Sequence, residues 1–140
     1  MSCLRPIQIR DKQGLLQTVP CDKCPNCYYR KTAGWTFRLM AEERSSWTSN
    51  FITMTYAPDN LVTTPYGRLS LNRYDLQNFF KRLRKSHRNY CDKSIKYYAV
   101  GEYGSHTARP HYHAIIFNAD IELMEKAWTL DGNLIGDIYY

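Results

Sequence analysis

Long apolar runs are missing from this sequence. Stretches such as Ala114-Ile115-Ile116-Phe117 are as long as they become, far short of the ~18 residues that mark a membrane span. The first residues, MSCLRPIQIRDKQ, hold no apolar h-region, so no secretory signal is expected. Internal repeats and low-complexity tracts are absent as well. Phenylalanine is scarce, five against twelve tyrosines. Membrane-spanning, secreted and repeat architectures are therefore set aside.

What is present reads as globular. Charged residues make up 23% of the 140 positions and apolar ones 44%, enough for one cored domain, or one domain with a small appendage. The formal net charge is +6, and it is unevenly spread. Residues 1–46 carry 8 Lys/Arg against 4 Asp/Glu, and residues 47–93 carry 8 against 3, whereas residues 94–140 carry 3 against 6. Three of the four histidines fall in that acidic last third. Carboxylates beside histidines suit a bound cation, and clustered lysines and arginines suit phosphates.

Five cysteines without an export signal point to a reducing compartment, where grouped thiols more often bind metal than pair. Cys21, Cys24 and Cys27 follow Cys-x2-Cys-x2-Cys, with Cys3 as candidate fourth ligand, and four thiolates suit tetrahedral Zn²⁺. An iron–sulfur cluster competes, but the position where its run would need a fourth cysteine is Lys31. Cys91 stands apart and reads as unpaired.

Residues 1–27 look irregular, punctuated by Pro6, Gly14, Pro20 and Pro25. Apolar spacing predicts a helix from Tyr28 to about Arg44. Phe51–Tyr56 reads as a strand with Ile52, Met54 and Tyr56 on one face and Phe51, Thr53 and Thr55 on the other. A helix capped by Asn72 or Ser70 follows, with a stripe of Leu76, Phe79, Phe80 and Leu83. Its last turns hold Lys81, Arg82, Arg84, Lys85, His87 and Arg88, more cation than the helix dipole calls for. Strands over Ser94–Glu102 and Pro110–Asn118, a short helix opened by Asp120 and running to Trp128, and a last strand over Leu134–Tyr140 complete the chain. From Phe51 the order is β-α-β-β-α-β, which predicts an α+β fold: a ferredoxin-like split βαβ antiparallel sheet with both helices on one face. The predicted parts are a Cys-rich arm and helix over 1–46 and a core over 47–140.

The sharpest local signal is Arg109-Pro110-His111-Tyr112-His113. On a strand His111 and His113 project from one face, one pleat apart, and two imidazoles so placed can meet one cation. Glu102, ending the preceding strand, is the natural third ligand if register allows, and His106 in the intervening loop is its rival.

The strand FITMTY, the helix after it and YYAVGEYGSHTARPHYHAIIF together resemble the HUH endonucleases, the rolling-circle replication initiators of small viruses and plasmids. Cys21-Asp22-Lys23-Cys24-Pro25-Asn26-Cys27, followed by Trp35 and Arg38, narrows the resemblance to initiators of gokushovirus-type microviruses, small single-stranded-DNA phages. The resemblance implies a metal-dependent endonuclease that nicks single-stranded DNA at an origin. Mn²⁺ or Mg²⁺ would sit on His111, His113 and Glu102, and the reaction would pass through a 5′-phosphotyrosine. It implies DNA contact by Lys81, Arg82, Arg84, Lys85, Arg88, Tyr98, Tyr103 and Arg109. Host replication proteins would be partners, and the infected bacterial cytoplasm the location. The family's nucleophilic tyrosine precedes a lysine by three or four residues, and no such pair follows His113. Tyr139 and Tyr140 are the tyrosines after it, and either would serve only if the terminal segment curled back. The nucleophile is therefore expected beyond this chain. Two other readings stand beside this one: a non-catalytic single-strand-binding module with a structural zinc, and an unrelated His-x-His metallohydrolase.

Overall fold

A computed structural model describes residues 2–89 and 92–140. Cys91 lies outside the described residues. The chain divides into two compact units, 1–44 and 45–140.

The first unit is less irregular than its prolines imply. Strands β1 (Ile7–Arg10) and β2 (Leu16–Val19) pair antiparallel, Ile7 opposite Val19 and Arg10 opposite Leu16. Asp11 organises the turn, its carboxylate accepting from the Gln13 and Leu15 N–H groups at 2.9 and 3.0 Å. A four-residue alternation with both faces in water gives too weak a period to read from sequence. Helix α1 (Pro25–Ser45) follows. It opens three residues earlier than Tyr28 because proline at the first helical position forfeits no hydrogen bond.

The second unit is built on β3 (Ser49–Thr55), α2 (Arg73–His87), β6 (Lys96–Tyr103), β7 (Pro110–Phe117), α3 (Ile121–Ala127) and β10 (Ile138–Tyr139). Two small hairpins, β4 (Val62–Thr63) with β5 (Leu69–Ser70) and β8 (Thr129–Leu130) with β9 (Asn133–Leu134), fill connections. The architecture is α+β. Its four-stranded sheet has the order β10-β3-β7-β6, every neighbouring pair antiparallel. Strand β7 thus lies between β3 and β6, the strands that α2 joins.

Side-chain alternation sets the layers. Ile52, Met54 and Tyr56 of the β3 segment and Tyr112, Ala114 and Ile116 of β7 are buried in one cluster with Phe79, Phe80 and Leu83 of α2 and Leu123, Met124 and Trp128 from the α3 segment. Both helices therefore cover one face, and Phe51 and Val100 remain exposed on the other. The Asn72 side chain accepts from the Tyr74 N–H to start α2, and Asp120 accepts from the Glu122 N–H to start α3.

The last strand is shorter than the span 134–140. Ile135 turns into the core, and a Cβ on Gly136 would collide with the Thr55 carbonyl. The chain therefore leaves β9, crosses the end of β3 and pairs again only at Ile138 and Tyr139.

Candidate functional site

The open sheet face is where β7 delivers its histidines. Glu102 is directly opposite His111 on β6, and Val100 is opposite His113. On the other side, Thr55 faces His111 and Thr53 faces His113. This register, which the sequence left open, brings the Glu102 Oε2 to 3.4 Å from His113 Nε2 and 3.9 Å from His111 Nε2. The ligand atoms of the three residues all lie within 4.8 Å of one another. His106 is in the connecting loop and is not in this group.

The far ring nitrogens are held. His111 Nδ1 is 3.1 Å from the Arg109 carbonyl, and His113 Nδ1 is 2.9 Å from Thr53 Oγ1. A carbonyl only accepts, so His111 carries its proton on Nδ1 and turns the Nε2 lone pair inward. Phe51 stacks on the His113 ring, centroids 5.6 Å apart. The histidines are largely covered while Glu102 is 60% exposed, so the centre opens to one side. Two imidazoles and one carboxylate form a donor set suited to a divalent cation with positions left for oxygen ligands. The support from Phe51 and Thr53 was not foreseen. Their parity is legible, but their pairing with His113 depends on register between segments sixty residues apart in sequence.

Tyr139 pairs with Thr53, which itself pairs with His113. Tyr139, Thr53, His113 and Val100 thus form one row across the sheet. Tyr139 reaches this face through strand pairing, with no curling back of the terminal segment, at two strand spacings, or about 10 Å, from His113. Tyr140 lies beyond the last pair and is exposed.

The α2 cations lie on the other layer, because α2 packs on the opposite face of the sheet. Lys81, Lys85 and Arg88 are exposed there. Arg82 turns inward, its Nε donating to the Ala127 carbonyl at the end of α3 (2.9 Å). Arg84 lies over the Phe80 and Tyr97 rings, 5.9 and 5.4 Å from their centroids. Tyr98, opposite Ile115, shares the histidine face. Tyr103 has the other parity, and its hydroxyl accepts from the Leu71 N–H. Arg109 donates to the Tyr56 carbonyl at 2.6 Å.

In the first unit, Cys3, Cys21, Cys24 and Cys27 converge, their sulfurs within 4.8 Å of one another. Cys3 Sγ is 3.5 Å from Cys21 Sγ and 3.9 Å from Cys24 Sγ. Sulfurs bound tetrahedrally at ~2.3 Å lie about 3.8 Å apart, so the group needs little rearrangement to close on one ion. The backbone N–H groups of Leu4 and then Cys27 favour the Cys24 thiolate, lowering its pKa to about 6, whereas burial pushes the Cys27 thiol up to about 12. A cation would remove that cost to Cys27. Arg30 Nη2 approaches Cys27 Sγ at 4.0 Å.

A sheet-borne His-x-His pair with a facing carboxylate, in a protein carrying a separate four-thiol group, defines a class with two candidate metal centres. Comparison gives the family. Residues 49–137 match the family model of the replication-associated protein ORF2, and the chain belongs to that family. It is 33% identical over 156 aligned positions to replication-associated protein ORF2 of Spiroplasma virus 4, covering 94% of this chain and 48% of that protein. Replication-associated protein VP4 of Bdellovibrio phage phiMH2K is 35% identical over 137 positions, 84% of this chain and 42% of that protein. Replication-associated protein ORF4 of Chlamydia phage 1 is 32% identical over 99 positions, 71% of this chain and 24% of that protein. The chain therefore spans half or less of the length of these relatives. No solved structure gives a significant match. No helix among the described residues is long and apolar enough to cross a membrane.

Proposed function

We propose that this protein is an HUH-type replication initiator that nicks single-stranded DNA at an origin for rolling-circle replication. The observation that carries the reading is the convergence of His111, His113 and Glu102 on the open sheet face. A divalent ion held there, Mn²⁺ or Mg²⁺, would polarise the scissile phosphate and stabilise the charge that develops on it. The chain's own tasks are to fix the donor atoms and to admit the strand. Arg109 and Thr53 orient the two imidazoles, Phe51 limits rotation of His113, and the exposed side leaves room for DNA.

Cleavage follows by attack of a tyrosine hydroxyl on phosphorus. A new phosphorus–oxygen bond forms to the tyrosine, its proton is lost, and the bond to the 3′ oxygen breaks, leaving a 5′-phosphotyrosine and a 3′-OH for host replication proteins in the infected cell to extend. The attacking tyrosine is expected in the part of the protein beyond this chain. Tyr139 is a second reading, favoured by its row with Thr53 and His113. The cysteine group is proposed as a structural Zn²⁺ site. Without a nucleophile, the same surfaces would make a non-catalytic single-strand-binding module.

Incubating origin single-stranded DNA and Mn²⁺ with this chain, and with a version extended past Tyr140, tests the proposal. A covalent adduct from the extended chain alone places the nucleophile beyond Tyr140, and an adduct from this chain that Tyr139→Phe abolishes assigns it to Tyr139. Binding with no adduct from either leaves the binding module. Unchanged Mn²⁺ affinity in His111→Ala/His113→Ala would refute the metal assignment.

A further inference from the structure

Helix α1 carries a stripe that neither metal centre uses. Of its 21 residues only Cys27 is buried. Positions 27, 30, 31, 34 and 38 recur at three- and four-residue spacing and share one helix face. That face floors an open groove of about 280 Å³, bordered also by Asp22 and Trp35. Three cations, Arg30, Lys31 and Arg38, meet one carboxylate, Asp22. Part of the Arg30 charge answers to Cys27 Sγ at 4.0 Å, which leaves Lys31 and Arg38 as the groove's outward charges.

Spacing and shape fit a polynucleotide. Lys31 and Arg38 are about 10 Å apart along the helix axis, the length of roughly three stacked nucleotides at ~3.4 Å each. The Arg38 guanidinium lies 5.2 Å from the Trp35 ring centroid, and an indole beside cations is a surface on which bases stack. Gly34 is the telling residue. It sits mid-helix, where glycine is the poorest choice after proline. A Cβ there would meet nothing within 4 Å, and its φ is not positive. Neither packing within the protein nor backbone conformation calls for glycine, and what its bareness permits is close approach from outside.

We propose that this face of α1 is a single-stranded DNA groove, with Lys31 and Arg38 on phosphates, Trp35 against a base and the strand seated on Gly34. The proposal rests on the reading of single-stranded DNA as substrate, and adds a holding site on the unit that lacks the His–Glu centre.

The test uses the zinc-loaded 140-residue chain carrying His111→Ala/His113→Ala, without Mn²⁺ or Mg²⁺, and a fluorescein-labelled oligothymidylate of about 12 nucleotides. Lys31→Glu/Arg38→Glu should weaken binding by at least about tenfold and lower the slope of log affinity against log salt by about 1.4, at ~0.7 per phosphate. Gly34→Leu should weaken binding while Tm holds or rises, since leucine is a good helix former, which separates lost contact from lost fold. Quenching of tryptophan fluorescence by the oligonucleotide should shrink in Trp35→Phe. Unchanged affinity and salt slope in the double variant, or wild-type binding by Gly34→Leu, overturns the proposal. So does tighter binding of an acidic peptide than of the oligonucleotide. A missing Mn²⁺-dependent adduct in the otherwise wild-type extended chain would count against the nicking reading and leave the groove result standing.

Discussion

Stripping the metal from the first unit should unfold that unit and spare the second. The first unit has 44 residues, near the ~40-residue limit below which domains usually need metals, disulfides or partners. Its buried apolar side chains are Cys24 and Cys27 themselves, while Leu4, Ile7, Ile9, Leu15 and Leu16 are 46–65% exposed. A two-stranded hairpin alone is marginal in water. Structural zinc contributes roughly 10–16 kcal/mol in small zinc domains. The sulfur separations of 3.5 and 3.9 Å differ from the tetrahedral spacing by only a few tenths of an ångström, so little strain opposes binding. The assay is amide hydrogen exchange on the whole chain with and without a strong zinc chelator, alongside elemental analysis. Protection of β1 and β2 should collapse with chelator while β3 and β7 stay protected. Cys24→Ser should behave like chelation, and Cys91→Ser should retain one zinc per chain. Purified protein without zinc, or a hairpin that keeps its protection in chelator, refutes the reasoning.

Thr53→Val should weaken Mn²⁺ binding by about 10-fold or more, and Thr53→Ser should largely restore it, because the hydroxyl that holds His113 Nδ1 is what differs; titration calorimetry and the Mn²⁺ resonance signal measure both. Gly136→Ala should lower stability by about 1–3 kcal/mol in denaturant unfolding, since the added Cβ drives the β9–β10 connection off the Thr55 carbonyl. Lys81→Glu/Lys85→Glu should leave cleavage of an oligonucleotide of a few nucleotides unchanged, because α2 lies behind the sheet. The same change should weaken binding of a long strand, as read by anisotropy at several salt concentrations.

Much of the second unit is legible in the sequence because its signals are local. The two-residue period of Phe51–Tyr56 separates the buried Ile52, Met54 and Tyr56 from the outward Phe51, Thr53 and Thr55, and Asn72 and Asp120 announce their helices. Register and layer are not local. Glu102 could be given a face but not a partner, since one residue of slip would move it away from His111. The inward turn of Arg82 depends on where α3 ends, and the place of Tyr139 depends on β10 pairing with β3. The β1–β2 hairpin escaped notice because it buries neither face, and burial is what writes an alternation into a sequence.

Sheet layering also changes how the charge should be read. A count along the chain places the densest cations in the middle third, a few dozen residues before the histidines, and invites the idea that both serve one phosphate. Antiparallel pairing forbids that. His111, His113 and Glu102 project from the face opposite the one that α2 covers, and the sheet itself stands between them. Within the second unit, charge compensation at the scissile phosphate therefore falls mainly to the bound ion. The exposed α2 cations can act only on DNA that passes around the domain. An initiator that cuts one phosphate while holding a longer strand has use for both surfaces: a nearly neutral cutting face whose charge arrives with the metal, and a cationic one that binds without reading sequence.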